Sequence, residues 1–130
     1  MKILAFTDTH GSVAAIRRVK KAAKKEKPDL ILFGGDLTIF GQDLDRLMKE
    51  LDKIGKEVLV IHGNHETATE LRNACKKTKN VKFFNTKTRR INNYLIIGFS
   101  VDGFALKDPH FERFIKRIKA KFRKNDKISD

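Results

Sequence analysis

The chain has 130 residues, 40% of them hydrophobic and 35% charged, which is enough for one core, too few for a second domain, and too apolar for a disordered chain. No apolar run reaches the 18 or more residues of a membrane-spanning helix, and the single cysteine, Cys75, excludes an internal disulfide. A formal net charge of +13 implies attraction to polyanions such as nucleic acid, nucleotides or anionic membrane, although a Lys-rich surface serves solubility equally well.

Met1 leads directly into a strand-like run, Lys2 to Thr7, with no signal-like n-region or h-region, so the cytoplasm is the expected location. Ser12 can cap a helix running to about Glu26, with Ala15, Ile16, Val19, Ala22 and Ala23 at helical spacing. Arg17, Arg18, Lys20, Lys21, Lys24 and Lys25 make its other face basic. Pro28-Asp29 ends this helix, and Leu30 to Phe33, closed by Gly34-Gly35, reads as a buried strand. A second helix is predicted over about 42–54, ended by Gly55, and Val58 to Ile61 is a third strand. Strand, helix, strand, helix, strand in that order predicts an α/β fold with a mostly parallel sheet and right-handed crossovers.

A further helix is predicted from Glu66 to about Lys77, with Leu71, Ala74 and Cys75 inward, so Cys75 is a core side chain. Val81 to Phe84 reads as a fourth strand, and Asn92-Asn93 as a turn into a fifth, Tyr94 to Phe99. The final segment, Phe111 to Lys127, sets Phe111, Phe114, Ile115, Ile118 and Phe122 on one helical stripe among eight basic and two acidic residues. Such a basic amphipathic helix, at about 109–125, packs its stripe on a sheet, or lies on a nucleic-acid backbone or an anionic membrane.

Three polar clusters follow the first three strands: Asp8-Thr9-His10, Gly35-Asp36 and Gly63-Asn64-His65-Glu66. In a parallel sheet the strand ends on one edge bring their loops together, so ligands placed just past successive strands converge. Asp8 and His10, two residues apart, point to the same side and offer one oxygen and one nitrogen. Asp36 could bridge two ions, and Asn64 could add a neutral carbonyl oxygen. Two carboxylates about 4 Å apart repel by about 4 kcal/mol at an effective dielectric near 20, a cost that a divalent cation removes. Taken singly, each cluster also reads as turn glycines and helix-capping aspartates, and His62 belongs to its strand. Taken together, the three favour a metal-dependent phosphoester hydrolase.

Asp8-Thr9-His10, Gly35-Asp36 and Gly63-Asn64-His65-Glu66 resemble the first three motifs of the calcineurin-like metallophosphoesterases, over roughly residues 2–104. The resemblance implies that Asp8, His10, Asp36 and Asn64 bind metal and that His65 is the catalytic histidine. It implies divalent cations, manganese first, with iron, zinc or nickel as alternatives: two in the complete family site, one or none here. The implied fold is the N-terminal half of a four-layer sandwich, and the implied substrate is a phosphomonoester or phosphodiester. The family pattern continues with a lone histidine and G-H-x-H, neither of which follows here. The only later histidine, His110, sits after Lys107-Asp108-Pro109 and reads as a surface residue. The expectation is therefore a truncated product, or half of an enzyme whose exposed sheet face is covered by a second chain or another copy. The alternative is a non-catalytic binding module that uses its basic surface for nucleic acid or anionic partners.

Overall fold

The computed structural model describes residues 1–101 and 107–125, the last four of these by backbone alone. Phe104, the Phe122 side chain and Lys127, which the sequence reading included, lie outside the described residues. The chain divides into two compact units, residues 1–100 and 101–130.

In the first unit, β1 (Ile3–Phe6), β2 (Leu30–Phe33), β3 (Val58–Val60) and β4 (Val81–Phe83) form a parallel sheet in the order β1-β2-β3-β4. Ile3 pairs with Leu30, Ile31 with Val58, and Val58 with Val81. The connections are the helices α1 (Val13–Glu26), α2 (Leu44–Asp52) and α3 (Ala68–Lys76). A sheet whose sequential strands are neighbours, joined by crossovers of one hand, puts those helices on one face. The core shows this: Ile16 and Ala23 of α1, Leu47, Met48 and Leu51 of α2, and Leu71, Ala74 and Cys75 of α3 join Ile31, Phe33, Val58, Val60, Val81 and Phe83 in one buried cluster.

The opposite face is covered differently. Leu30, Leu59 and Phe84 pack with Leu32, Ile91 and Ile96, the last two contributed by an antiparallel hairpin of β5 (Lys87–Ile91) and β6 (Tyr94–Gly98). Coverage is partial, leaving an apolar groove of about 440 Å³ lined by Ala5, Leu32, Leu59, Phe84, Ile96 and Ile97 among others. The uncovered sheet face expected from the sequence is thus narrowed to a groove by a hairpin whose first strand the pattern had not marked.

Local chemistry sets the helix ends. The Ser12 hydroxyl accepts from Ala15 N–H at 3.1 Å, and Lys27 closes α1 in the left-handed region with φ 47°. The second helix is shorter than its apolar spacing predicts. Asp43 at φ 56° blocks it on one side, and on the other its last turn tightens to i→i−3 bonds before Gly55. The third starts at Ala68 rather than Glu66, because Thr67 and Glu70 form a capping box and Glu66 turns inward. The Thr67 N–H and hydroxyl hold the Glu70 carboxyl below its usual range. Cys75 is buried in the core, as expected, and that burial pushes its thiol up to about 11.

The second unit contains α4 (Pro109–Asn125). Asp108 caps it, its Oδ1 accepting from the N–H groups of His110 (2.7 Å) and Phe111 (3.2 Å), with Pro109 at the first helical position. His110 is exposed, and so are Arg113, Lys116, Arg117, Lys119 and Lys121. No described helix is long and apolar enough to cross a membrane.

Candidate metal centre

The backbone ladder between β1 and β2 does not stop with the strands. Gly34 N–H donates to Phe6 O (2.9 Å), Asp8 N–H to Gly35 O (3.1 Å), His10 N–H to Asp36 O (3.0 Å) and Gly11 N–H to Leu37 O (2.8 Å). These rungs hold the two strand ends side by side while the chain leaves the extended conformation. Asp8 (φ 56°), His10 (φ 41°) and Asp36 (φ 57°) all lie in the left-handed region. That region costs an L-residue roughly 1–2 kcal/mol and is visited most readily by Asn, Asp and His.

Between Asp8 and His10, Thr9 turns inward and its hydroxyl meets Leu37 O at 3.3 Å. The flanking side chains are thereby sent outward together, and His10 Nε2 lies 3.3 Å from Asp8 Oδ1. Asp36 joins them: one donor atom from each of Asp8, His10 and Asp36 lies within 4.8 Å of the other two. A cation with oxygen or nitrogen ligands at about 2.0–2.6 Å spans ligand pairs of that separation. Two carboxylates and an imidazole are also the donor chemistry of a divalent transition ion. The residues fit one such cation.

Close approach explains the glycines. A side chain at Gly35 (φ 104°) would collide with Gly63 N and His62 C, and one at Gly63 with the Asp36 carboxylate. The loops after β2 and β3 therefore touch through backbone, and Asp36 lies against Gly63. Asp36 Oδ1 also accepts from His65 N–H at 3.1 Å. Asn64 sits between these two contacts with an exposed side chain.

The His65 ring is half-buried, and its Nδ1 accepts from Phe40 N–H at 3.3 Å. It meets the His10 ring edge-on at 4.9 Å and the Phe40 ring at 4.7 Å. His62, by contrast, is buried, its Nδ1 3.0 Å from Gly63 O and its Nε2 3.2 Å from the Asn85 amide. Because the amide nitrogen can only donate, His62 Nε2 accepts, which leaves Nδ1–H to bind Gly63 O and steady the loop.

The sequence assigned no role to Thr38 or Phe40, and placed Glu66 only at the end of its motif and the start of a helix. The Glu66 carboxylate is buried, and its Oε1 accepts from Thr38 N–H (2.6 Å) and Thr38 Oγ1 (2.9 Å). Thr38 Oγ1 in turn accepts from Gly41 N–H (2.9 Å), fixing the turn that carries Phe40. The available signal was a bulky apolar residue beside a glycine, Phe40-Gly41, soon after Gly35-Asp36.

A family model described as calcineurin-like phosphoesterase matches residues 1–126. One crystal structure superposes with a TM-score of 0.74 at 15% identity, covering 92% of this chain and 64% of its own. The crystal structure of TT1561 of Thermus thermophilus superposes with a TM-score of 0.70 at 17% identity, covering 95% of this chain and 63% of that one. Likeness at that identity is a likeness of fold, and the chain spans less than two thirds of the length of either structure. No curated protein matches the chain.

Proposed function

The chain belongs to the calcineurin-like phosphoesterase family, and from that premise we propose that it is a metal-dependent phosphoester hydrolase, with Asp8, His10, Asp36 and Asn64 as ligands and His65 as its catalytic histidine. The observation that carries this reading is the meeting of three ligand atoms, from Asp8, His10 and Asp36, within 4.8 Å of one another just past β1 and β2. Asp8 and Asp36 would supply anionic oxygens, His10 a ring nitrogen, and Asn64 a neutral carbonyl oxygen. A divalent cation held by these residues would lower the pKa of water and draw charge from a phosphoryl oxygen. Among the described residues, Asp36 and Asn64 are too few for a second cation, so one cation is proposed here.

His65 has a separate task. Phe40 N–H donates to its Nδ1, so the neutral ring carries its proton on Nε2. From there its Nε2–H can donate a hydrogen bond that stabilises the oxygen leaving phosphorus. The main chain of the same residue holds Asp36, so a proposed ligand and this hydrogen-bond donor move as one piece.

Release of p-nitrophenol from p-nitrophenyl phosphate and its bis ester, with added Mn²⁺, tests the proposal and separates monoester from diester. Stimulated release that disappears in Asp36→Asn supports it; equal rates in the two proteins would refute it. Fe²⁺, Zn²⁺ and Ni²⁺ in parallel identify the preferred cation.

A second reading rests on the basic face of α1, where Arg17, Arg18, Lys20, Lys21, Lys24 and Lys25 are all exposed. That face suits nucleic acid, and affinity there should fall steeply with salt. Binding without Mn²⁺-dependent turnover would favour this reading over the hydrolase.

A further inference from the structure

The turn between β2 and α2 holds a bulky apolar residue in solvent against the preference of its own backbone. Gln42 N–H donates to Ile39 O at 3.1 Å, closing a four-residue turn whose central residues, Phe40 (φ 48°) and Gly41 (φ 76°), both have positive φ. Such a turn favours Asn, Asp or Gly at its first central position, and a large side chain there is strained. Burial does not offset this, because Phe40 is 77% exposed. The conformation is instead fixed from outside: His65 Nδ1 takes the Phe40 N–H, Thr38 Oγ1 takes the Gly41 N–H, and the buried Glu66 carboxylate anchors Thr38. A strained residue over-determined by its neighbours points to function rather than stability.

Its position says which function. The Phe40 ring lies 4.7 Å from the His65 ring, and His65 lies 4.9 Å from His10, so three rings lead from solvent to the ligand cluster. A phosphoester seated at Asp8, His10 and Asp36 would extend its organic group along this line, toward the open face of Phe40. Aromatic rings stack offset on such a face, and every nucleobase has a π-surface to offer. The net charge of +13 favours an anionic ligand of this kind.

We propose that Phe40 is a stacking platform that makes this chain select phosphoesters bearing an aromatic ring, in biological form a nucleotide. The substrate assignment rests on the hydrolase reading, but the platform can be measured without turnover. Calorimetric binding of adenosine 5′-monophosphate and of ribose 5-phosphate to the full chain, with and without Mn²⁺, isolates the base. The unmodified chain should prefer the nucleotide by roughly 5- to 100-fold. Phe40→Ala should bring the ratio close to one, whereas Phe40→Tyr should keep it. Circular dichroism of Phe40→Ala checks that it is folded, the outcome its exposure leads one to expect. A ratio near one in the unmodified chain, or a ratio retained by folded Phe40→Ala, overturns the proposal. If the ratio depends on Phe40 but no phosphoester is hydrolysed, the platform stands and the hydrolase reading falls. Hydrolysis with no base preference removes the platform alone.

Discussion

Inside the sheet, Val58 and Val60 on β3 are wholly buried in one cluster with Leu47 and Leu51 of α2, and their backbone pairs regularly with both neighbouring strands. A few residues past the ends of β1 and β2 the same sheet gives way to left-handed residues at Asp8, His10, Asp36 and Phe40, most of them solvent-facing. The first region is stable because it removes apolar surface from water; the second keeps charged and strained groups exposed and is held by hydrogen bonds from its surroundings. The contrast teaches that the helix-covered face supplies the stability against which the strand-end edge keeps its costly geometry. Substitutions in the two regions should accordingly separate stability from activity.

The largest effect is expected at the edge. Asp36→Ala removes a proposed ligand oxygen and the acceptor for His65 N–H, so Mn²⁺-dependent hydrolysis should fall by about 10³-fold or more, while the urea midpoint shifts little. A large loss of stability in that variant would contradict the division between regions. Leu51→Ala is its mirror image. This fully buried residue should cost about 2–5 kcal/mol by urea denaturation while the folded fraction still binds Mn²⁺.

Gly35→Ala tests the seam between the regions, where a new Cβ would collide with Gly63 and His62. A destabilisation of roughly 1–3 kcal/mol, together with weakened Mn²⁺ binding, is expected, because the two loops must part. Cys75 gives a pH readout of the core. Its thiol is held protonated to about 11 in the folded chain, above its usual 9.0, so its contribution is complete below pH 9 and lost as pH rises through about 11. Melting temperatures of the natural chain and Cys75→Ala should therefore diverge most between those values, and parallel curves would show that the thiol is not insulated. The smallest effect is Phe40→Gly. Relief of the left-handed strain, less the greater chain entropy of glycine, should stabilise by about 1 kcal/mol or less. A clear loss of stability would mean that the exposed ring contributes packing that its exposure hides.

Much of this was readable from residue pattern. Runs such as Leu30 to Phe33 and Val58 to Ile61 are short, apolar and bounded by turn residues, and the strands stand where those runs do. The clusters after them pointed to a candidate cation site, and the structure brings donor atoms of Asp8, His10 and Asp36 within 4.8 Å of one another. The hairpin strand Lys87–Ile91 was not readable, since Lys-Thr-Arg-Arg-Ile has little apolar alternation and becomes a strand through pairing with Tyr94–Gly98. Nor was the inward turn of Glu66, whose place at the head of a helical pattern gave no hint that Thr38, 28 residues earlier, would bind it.

By itself the sequence determined the order of strands and helices, the basic surface and which residues carry ligand chemistry, because periodicity and residue type are local properties. Only the tertiary structure decided that Asp8, His10 and Asp36 lie within one ion's span, that Gly35 must touch Gly63, and that Phe40 stands strained beside His65. Those are distances between segments far apart in the chain. They are set by strand register and by backbone angles that the surrounding hydrogen bonds impose, against the preference of the residues themselves.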